Sequence, residues 1–125
     1  MLIEVLQAKL HNATLTDANL YYKGSITIGS ELLEKSGLRT GQKVQVVNIN
    51  NGSRLETYII RGKGREICLN GAAARLGHYG DKVIVIAYAT IDEKEYDTFK
   101  CKGIFLNGPN NEELEEKEWK LSELL

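Results

Sequence analysis

Cysteine and histidine are scarce in this sequence. The 125 residues include two of each, Cys68, Cys101, His11 and His78, and these are far apart along the chain. A structural zinc site needs four such ligands close together, so we expect no metal site. Because the chain begins without an export signal, we expect the two cysteines to be free thiols rather than a disulfide.

An excess of one charge and long apolar segments are also missing. The formal net charge is -1, whereas binding to nucleic acid or to an anionic membrane usually requires a basic surface; we expect neither partner. No apolar run is long enough to span a bilayer, and residues 1–10 lack the pattern of a signal peptide. The chain is long enough for one domain with its own core. These properties predict a single soluble, cytoplasmic domain spanning residues 1–125.

Alternating polar and apolar residues predict a mainly β protein. A strand that is apolar on both faces is expected to be central, and the segment 82–90 has this character. Asn50-Asn51-Gly52 is typical of a tight turn between two strands. The segment 21–28 is predicted to be extended, with a break at Gly24. The other predicted strands are 6–16, 43–49, 54–60 and 66–69.

Helices are predicted to be few and short. One is expected over 31–36, capped by Ser30 and ended by Gly37. A second, Ala-rich turn of helix is expected after Asn70. The segment from about 110 to 125 is rich in glutamate, and we expect an exposed helix or a loose acidic tail there. Its apolar residues, which could dock onto the domain, are Trp119, Leu121 and Leu124.

Two segments of the chain resemble each other. Residues 37–46 read Gly-Leu-Arg-Thr-Gly-Gln-Lys-Val-Gln-Val, and residues 77–85 read Gly-His-Tyr-Gly-Asp-Lys-Val-Ile-Val. In each copy a short helix ends at glycine, the chain turns through a second glycine, and a strand begins with Lys-Val. The repeat predicts a β-barrel with pseudo-twofold symmetry. The alternative is coincidence, because this succession of elements is common.

Several polar residues lie where chemistry would be possible. Alternation places Lys9 and His11 on one strand face, and it places Arg54 and Tyr58 together on a face of the strand 54–60. Taken alone, Lys9, His11 and Arg54 are expected to be solvated strand residues, and Tyr58 is expected to be a packed one. Gly24-Ser25, Asn70-Gly71 and their neighbours are, taken alone, turns.

Together these motifs resemble the pyruvoyl-dependent aspartate 1-decarboxylase family. The resemblance spans about residues 1–105 and includes Gly24-Ser25, Lys9, His11, and the segments 54–58 and 70–74. It implies a double-psi β-barrel with short helices, a fold that agrees with the internal repeat. It also implies a precursor that cuts itself between Gly24 and Ser25, giving a small chain 1–24 and a large chain 25–125.

The resemblance implies a specific reaction. Decarboxylation of an α-amino acid leaves a carbanion at Cα, which no ordinary side chain can delocalise, so an electron acceptor is required. In this family the acceptor is a pyruvoyl group made from Ser25, which forms an imine with L-aspartate; neither metal nor pyridoxal phosphate is expected. The implied products are CO2 and β-alanine, the latter for pantothenate and coenzyme A synthesis.

The resemblance also assigns roles to individual residues. Ser25 and Tyr58 are catalytic, and Tyr58 returns a proton to the substrate after CO2 leaves. The residues implied in self-cleavage are Gly24, Ser25, Thr57 and Asn70. The residues implied in substrate binding are Lys9, His11, Arg54, Thr57, Gly71, Ala72 and Ala73. Alternation places Thr57 on the strand face opposite to Tyr58, in apparent conflict with a shared site.

The resemblance further implies a homotetramer with active sites between subunits. It leaves open whether cleavage needs a separate maturation factor. One alternative from a different class is a non-catalytic double-psi barrel that serves as a binding module, whose chain would remain uncut. Another is an enzyme of the same architecture that acts on a different small acid.

Overall fold

Strands dominate the computed structural model, which describes residues 1–124 of the uncut chain. The longest described helix has seven residues, so none of the helices in this range could cross a bilayer. The strands and the α-helix are β1 (Leu2–Thr14), β2 (Asp17–Asn19), β3 (Ser25–Gly29), α1 (Ser30–Ser36), β4 (Lys43–Asn48), β5 (Arg54–Gly62), β6 (Ile67–Asn70), β7 (Lys82–Asp92), β8 (Lys100–Asn107) and β9 (Glu113–Lys120). Short 3₁₀ segments lie at Gly71–Leu76, Glu93–Glu95 and Leu121–Glu123.

The strands return on themselves to form a barrel. Their lateral order is β2-β6-β3-β5-β4-β7-β1-β8-β9. Because only Leu15 and Thr16 separate β1 from β2, one nearly continuous strand lies beside β7 at one end and beside β6 at the other. The combined β1–β2 strand therefore closes a ring with β6, β3, β5, β4 and β7, while β8 and β9 extend outward from β1. The predicted fold, a mainly β double-psi barrel with short helices, is confirmed.

The internal repeat is present in the backbone hydrogen bonds. The N–H of Gly41 donates to the carbonyl of Ile59 at 2.7 Å, and the N–H of Gly80 donates to the carbonyl of Leu15 at 2.8 Å. Both glycines have nearly the same left-handed backbone, with φ of 87° and 89°. The two turns therefore share a backbone conformation, and the second glycine of each donates to a backbone carbonyl of a segment distant in sequence.

Side chains follow the same symmetry. Gln42 and Asp81 occupy equivalent positions, and each accepts a hydrogen bond from the backbone N–H three residues earlier, at 3.1 Å and 2.9 Å. Val46 and Val85 are also equivalent, and they pair directly with each other where β4 meets β7. A pseudo-twofold axis therefore passes between these two valines, and the repeat is not a coincidence.

The hydrophobic core fills the barrel. Alternate residues of each barrel strand point inward, as the period of a β-strand requires, and α1 closes one side with Leu32 and Leu33. Burying each large aliphatic side chain contributes about 1.5–3 kcal/mol. The large core residues that are almost completely buried include Leu10, Leu15, Ile26, Ile28, Val44, Val46, Ile59, Ile67, Leu69, Val83 and Ile104.

Two local predictions, the Ser30 cap of α1 and the extended backbone of residues 21–23, were wrong. Ser30 does not cap α1; the helix begins directly after Gly29, and no side chain caps it. Backbone atoms of Gly64 lie too close to Gly29 for any Cβ there, so packing rather than capping sets this helix start. Residues 21–23, predicted to be extended, are not part of a strand; the side chain of Asn19 accepts a hydrogen bond from the N–H of Tyr21 at 3.2 Å and the chain turns there. The break at Gly24 and the extended backbone of 25–28 are confirmed, since β3 begins at Ser25. The predicted helix end is confirmed, since Gly37 is left-handed with φ of 78°.

The predicted helix or loose tail after residue 110 was also wrong. Residues 113–120 form strand β9, which pairs antiparallel with β8 along its whole length. Leu114 packs on the main core, and Trp119 packs on a smaller cluster that contains Ile91, Cys101 and Leu121. The glutamates lie on an edge strand, where charge discourages further strand pairing. Both cysteines are free, as predicted.

Candidate active site

The chain passes from solvent into the barrel between Gly24 and Ser25. Residues 21–24 are exposed, whereas Ser25 is 1% exposed and begins β3. Ser25 pairs directly with Asn70, the last residue of β6. The predicted cleavage point therefore has an exposed residue, Gly24, on one side and a buried hydroxyl, that of Ser25, on the other.

Asn70 holds the hydroxyl of Ser25. Its Nδ2 donates to Ser25 Oγ at 2.9 Å and to Thr27 Oγ1 at 2.9 Å. Ser25 Oγ in turn lies 3.3 Å from the carbonyl oxygen of Lys23, to which it donates. Asn70 thus contacts the hydroxyl and not, in this uncut state, the carbonyl of Gly24. Two predicted cleavage residues, Ser25 and Asn70, are in direct contact.

A cysteine on the same strand fixes the orientation of this amide. Cys68 lies two residues before Asn70, and its Sγ donates to Asn70 Oδ1 at 3.2 Å. Burial, followed by the negative charge of Asp17, raises the pKa of the Cys68 thiol. The thiol therefore keeps its proton at neutral pH and can donate to Oδ1, which leaves Nδ2 to face Ser25.

Gly71 brings the 3₁₀ segment against the cleavage point. Its φ is 66°, and an added Cβ would lie 2.7 Å from the nitrogen of Gly24 and 2.9 Å from the carbonyl oxygen of Tyr22. Only glycine satisfies both the left-handed backbone and this close approach. By contrast, a Cβ on Gly24 would meet no atom within 4 Å, so the backbone of Gly24 is open to approach.

A cleft of about 460 Å³ opens beside Gly24. It brings together five of the predicted site residues, and Tyr58, which is 42% exposed, is among them. Thr57 and Tyr58 both border this cleft, so the conflict expected from strand alternation does not arise. The lining residues are Gly24, Leu55, Glu56, Thr57, Tyr58, Ala72, Ala73 and Leu76.

Lys9 and His11 are not among the residues that line this cleft. They lie on β1, where each approaches the ring of Phe105: the Lys9 ammonium is 5.7 Å and the His11 ring 5.4 Å from its centroid. Within residues 1–124, His11 Nδ1 is the one buried side-chain nitrogen or oxygen without a hydrogen-bond partner. Burial and then the charge of Lys9 lower the pKa of His11, so the imidazole favours its neutral form.

Arg54 is also separate from the cleft. Its Nη1 donates to Gln45 Oε1 at 2.7 Å, and it lies four residues from Tyr58 along the same exposed strand face, about 13 Å away. Lys9 on β1 pairs with Ile86 on β7, and Ile86 pairs with Gln45 on β4. Gln45 in turn pairs with β5 at the position two residues after Arg54. Lys9 and Arg54 therefore share one outer face of the sheet, and three strand spacings plus a two-residue offset place their backbones about 16 Å apart.

The comparisons with known proteins identify the family of the chain. Residues 1–113 match a family model described as aspartate decarboxylase. The chain belongs to the aspartate decarboxylase family. A protein from Sulfurimonas denitrificans named aspartate 1-decarboxylase is 60% identical over 114 residues, which cover 89% of this chain and 93% of that relative. Relatives of the same name occur in Aliarcobacter butzleri, 53% identical over 91% of each chain, and Caldicellulosiruptor saccharolyticus, 56% identical over 88% of each.

Membership in the aspartate decarboxylase family confirms the predicted family and the predicted enzyme class, a carboxy-lyase. It also confirms the predicted activity at the level of the name, decarboxylation of aspartate. The family match ends at residue 113, the first residue of β9. The C-terminal strand therefore lies outside the part that the family model describes.

Two contacts of the site were missed in the sequence. Cys68 is two residues from Asn70 and Thr27 is two residues from Ser25, so each pair shares a strand face. Once Ser25 and Asn70 are expected to meet, this spacing indicates that Cys68 and Thr27 lie nearby. The missing information was the pairing of β3 with β6, which alternation within one strand does not give.

Proposed function

We propose that this chain is a precursor that cuts itself between Gly24 and Ser25, and that the mature protein converts L-aspartate into β-alanine and CO2. The observation that carries the proposal is the 2.9 Å contact between Asn70 Nδ2 and Ser25 Oγ. This contact holds a buried hydroxyl next to the accessible backbone of Gly24. A serine in a solvent-exposed turn would need no such partner.

The self-cleavage follows from these groups. Ser25 Oγ attacks the carbonyl carbon of Gly24, the amide bond breaks, and an ester takes its place. Loss of the Ser25 α-proton then expels the carboxylate of Gly24 and leaves dehydroalanine at position 25. Water hydrolyses this residue to a terminal ketone and releases ammonia. Asn70 orients the nucleophile, and Gly71 keeps the 3₁₀ segment against the bond that breaks.

The residues present fit a chain-derived acceptor. The pyruvoyl carbonyl that results at position 25 supplies the electron sink that decarboxylation requires. Tyr58, which lines the same cleft as Gly24, holds a proton on its hydroxyl oxygen and delivers it to the substrate Cα after CO2 leaves. Ala72 and Ala73 have small side chains that leave room for a substrate beside this hydroxyl. Thr57 borders the same space.

We further propose that a second copy of the chain contributes to the binding of the two aspartate carboxylates. The backbones of Arg54 and Lys9 share one outer sheet face but lie about 16 Å apart. If this face meets the same face of another copy, Lys9 and His11 of one copy approach Arg54 and Tyr58 of the other, as twofold symmetry allows. Such an interface supports the predicted homotetramer with active sites between subunits.

Three further predictions belong to the same proposal. The enzyme acts in the cytoplasm, its β-alanine feeds pantothenate and coenzyme A synthesis, and its cleavage either occurs unaided or needs a separate maturation factor. Incubation of the purified precursor without any added protein distinguishes unaided cleavage from cleavage that needs a maturation factor.

Intact-mass spectrometry tests the proposal. We expect two fragments, 1–24 and 25–125, the larger with a blocked N-terminus, and we expect the Ser25→Ala variant to give one uncut chain without activity. A wild-type chain that stays intact with an ordinary serine at position 25 would support the non-catalytic binding module instead. Release of CO2 from aspartate, compared with glutamate and cysteine sulfinate, tests the alternative of a different small acid.

A further inference from the structure

An aromatic cluster connects the C-terminal strand to Lys9 and His11. Strand β8 lies between β1 and β9, and Gly103 on β8 pairs with Lys9 on one side and with Lys117 on the other. Two residues later, Phe105 pairs with His11 on the β1 side. The residues of β1 and β9 therefore meet across Gly103 and Phe105.

Trp119 lies directly over Gly103. A Cβ added to Gly103 would lie 2.6 Å from each of two ring carbons of Trp119 and 3.0 Å from a ring carbon of Phe105. The backbone of Gly103 is not left-handed, so the neighbouring rings, rather than its conformation, exclude a side chain. Trp119 meets Phe105 edge to face, with centroids 6.0 Å apart and an interplanar angle of 83°, a favourable aromatic geometry.

Phe105 in turn contacts both candidate substrate residues. The His11 ring is 5.4 Å from Phe105, and the Lys9 ammonium is 5.7 Å from the same centroid. The Lys117 ammonium, also from β9, is 5.1 Å from it. Ammonium groups at these distances are attracted to an aromatic face. A fixed Phe105 ring therefore restricts the positions that Lys9 and His11 can adopt.

We propose that β9 is part of the substrate site: Trp119, acting through Phe105, is a positioning residue that holds Lys9 and His11 ready for a substrate carboxylate. This inference rests on the proposed function, in which Lys9 and His11 bind aspartate. It goes beyond that function because β9 begins where the family match ends.

Two variants disturb the cluster in different ways. Trp119→Leu removes the ring, whereas Gly103→Ala keeps the ring but forces it off Phe105. We expect either change to raise KM for aspartate about three- to tenfold, the loss that one aromatic and one cation–π contact would cause. We expect kcat and the rate of self-cleavage to change less than about twofold, since Ser25, Tyr58 and Asn70 lie elsewhere.

Controls separate positioning from general loss of structure. Glu118→Gln changes the opposite face of β9, where Glu118 makes only an exposed ion pair with Lys100 at 3.8 Å, and it should leave KM unchanged. Trp119→Phe keeps an aromatic ring and should restore most of the affinity lost in Trp119→Leu. If Trp119→Leu and Gly103→Ala leave KM at the wild-type value, or lower kcat without changing KM, the inference is wrong.

A second readout does not depend on turnover. Trp119 is the only tryptophan in the chain, so the intrinsic fluorescence of the full-length protein reports on it alone. We expect succinate, a dicarboxylate that cannot be decarboxylated in the same way, to change this emission in the wild type, and to require about three- to tenfold higher concentrations in Gly103→Ala. A response to succinate in a protein that neither cuts itself nor releases CO2 would overturn the proposed function but support the inference. Normal turnover with no response to succinate would overturn the inference alone.

Discussion

The side-chain amide of Asn70 can adopt two orientations that exchange Oδ1 and Nδ2, and the thiol of Cys68 favours one of them. Oδ1 accepts from the thiol of Cys68, so Nδ2 must face Ser25 and Thr27. Without that donor, the reversed amide could accept hydrogen bonds from the two hydroxyls instead. Cys68 therefore affects the nucleophile without touching it.

Replacing Cys68 should slow self-cleavage. Cys68→Val keeps a similar size but loses the donor, and we expect cleavage about three- to tenfold slower, as for loss of one hydrogen bond. Cys68→Ser keeps a donor and should cleave at nearly the wild-type rate. The measurement is the time course of the two fragments by intact mass. Cys101→Ala is the matched control, because Cys101 is a buried thiol of another cluster; equal slowing in this variant would contradict the role of Cys68.

The stability of the precursor should depend on His11 below neutral pH. Burial and the adjacent Lys9 charge lower the folded-state pKa of His11 below its ordinary value of 6.5. As the pH falls below that value, the unfolded chain takes up the proton first, so this residue makes folding less favourable. Of the charged groups around the shared Phe105 ring, Lys9 opposes protonation of His11, whereas Lys117 is paired with Glu115 at 3.9 Å.

Urea unfolding of the uncut Ser25→Ala precursor at about pH 7.5 and about pH 5.5 measures this effect, since carboxylates titrate mostly at lower pH. We expect lower stability at the lower pH, and a smaller decrease when His11→Gln is added. An equal decrease in both proteins would show that His11 does not titrate in this range.

At the scale of elements, the short 3₁₀ segment Gly71–Leu76 packs against the predicted cleavage point only because its first residue is glycine. Gly71→Ala should destabilise the fold by about 1–3 kcal/mol and strongly reduce self-cleavage, because the new Cβ would collide with Gly24. Gly80→Ala is the matched control: its φ of 89° imposes a similar backbone penalty, but a Cβ there meets no atom within 4 Å. Thermal unfolding and fragment formation are measured together. Similar cleavage in both variants would mean that strain, and not the contact with Gly24, is responsible.

Sequence pattern predicted those elements whose own residues determine them. The central strand β7 follows from its apolar run, and the turn at Gly52 follows from Asn-Gly chemistry. Strand β9 was missed because its glutamates hide the alternation of a strand; Trp119 was expected to dock, and it does so from a strand that also packs through Leu114. The start of α1 was missed because a distant backbone segment at Gly64 determines it. Local residues therefore predict local structure, and contacts between distant elements decide the rest.

The candidate site divides in the same way. The resemblance to the aspartate decarboxylase family indicated which residues to expect in a site, and the cleft contains five of them, Gly24, Thr57, Tyr58, Ala72 and Ala73. The spacing could not place them relative to Lys9, His11 and Arg54, because those positions depend on how strands pair around the barrel. Strand pairing leaves this second group on a surface away from the cleft.

At the scale of the whole molecule, the separation of Lys9 from the cleft predicts that neighbouring copies share each site. Lys9→Ala and Ser25→Ala should each be inactive alone, while hybrids formed by coexpression of the two should recover activity. Random assortment places an intact Ser25 of one copy beside an intact Lys9 of another in about one quarter of the sites. The measurement is CO2 release from purified hybrids carrying two different tags. Hybrids as inactive as the parent variants would place Lys9 and Ser25 of a single copy in the same site.

The position of β1 and β2 in the ring has a consequence for the history of the molecule. Both strands precede Gly24, so a cut there would leave β1 and β2 on a separate polypeptide that is still hydrogen-bonded to β6 and β7. The fragment would stay in place as long as the barrel stays folded. After denaturation, however, the two pieces would have to find each other by diffusion, so renaturation would slow on dilution and the uncut Ser25→Ala chain would recover more readily. Maturation would thus be irreversible in a second sense: the cut protein would be active but could no longer fold its barrel from a single polypeptide chain.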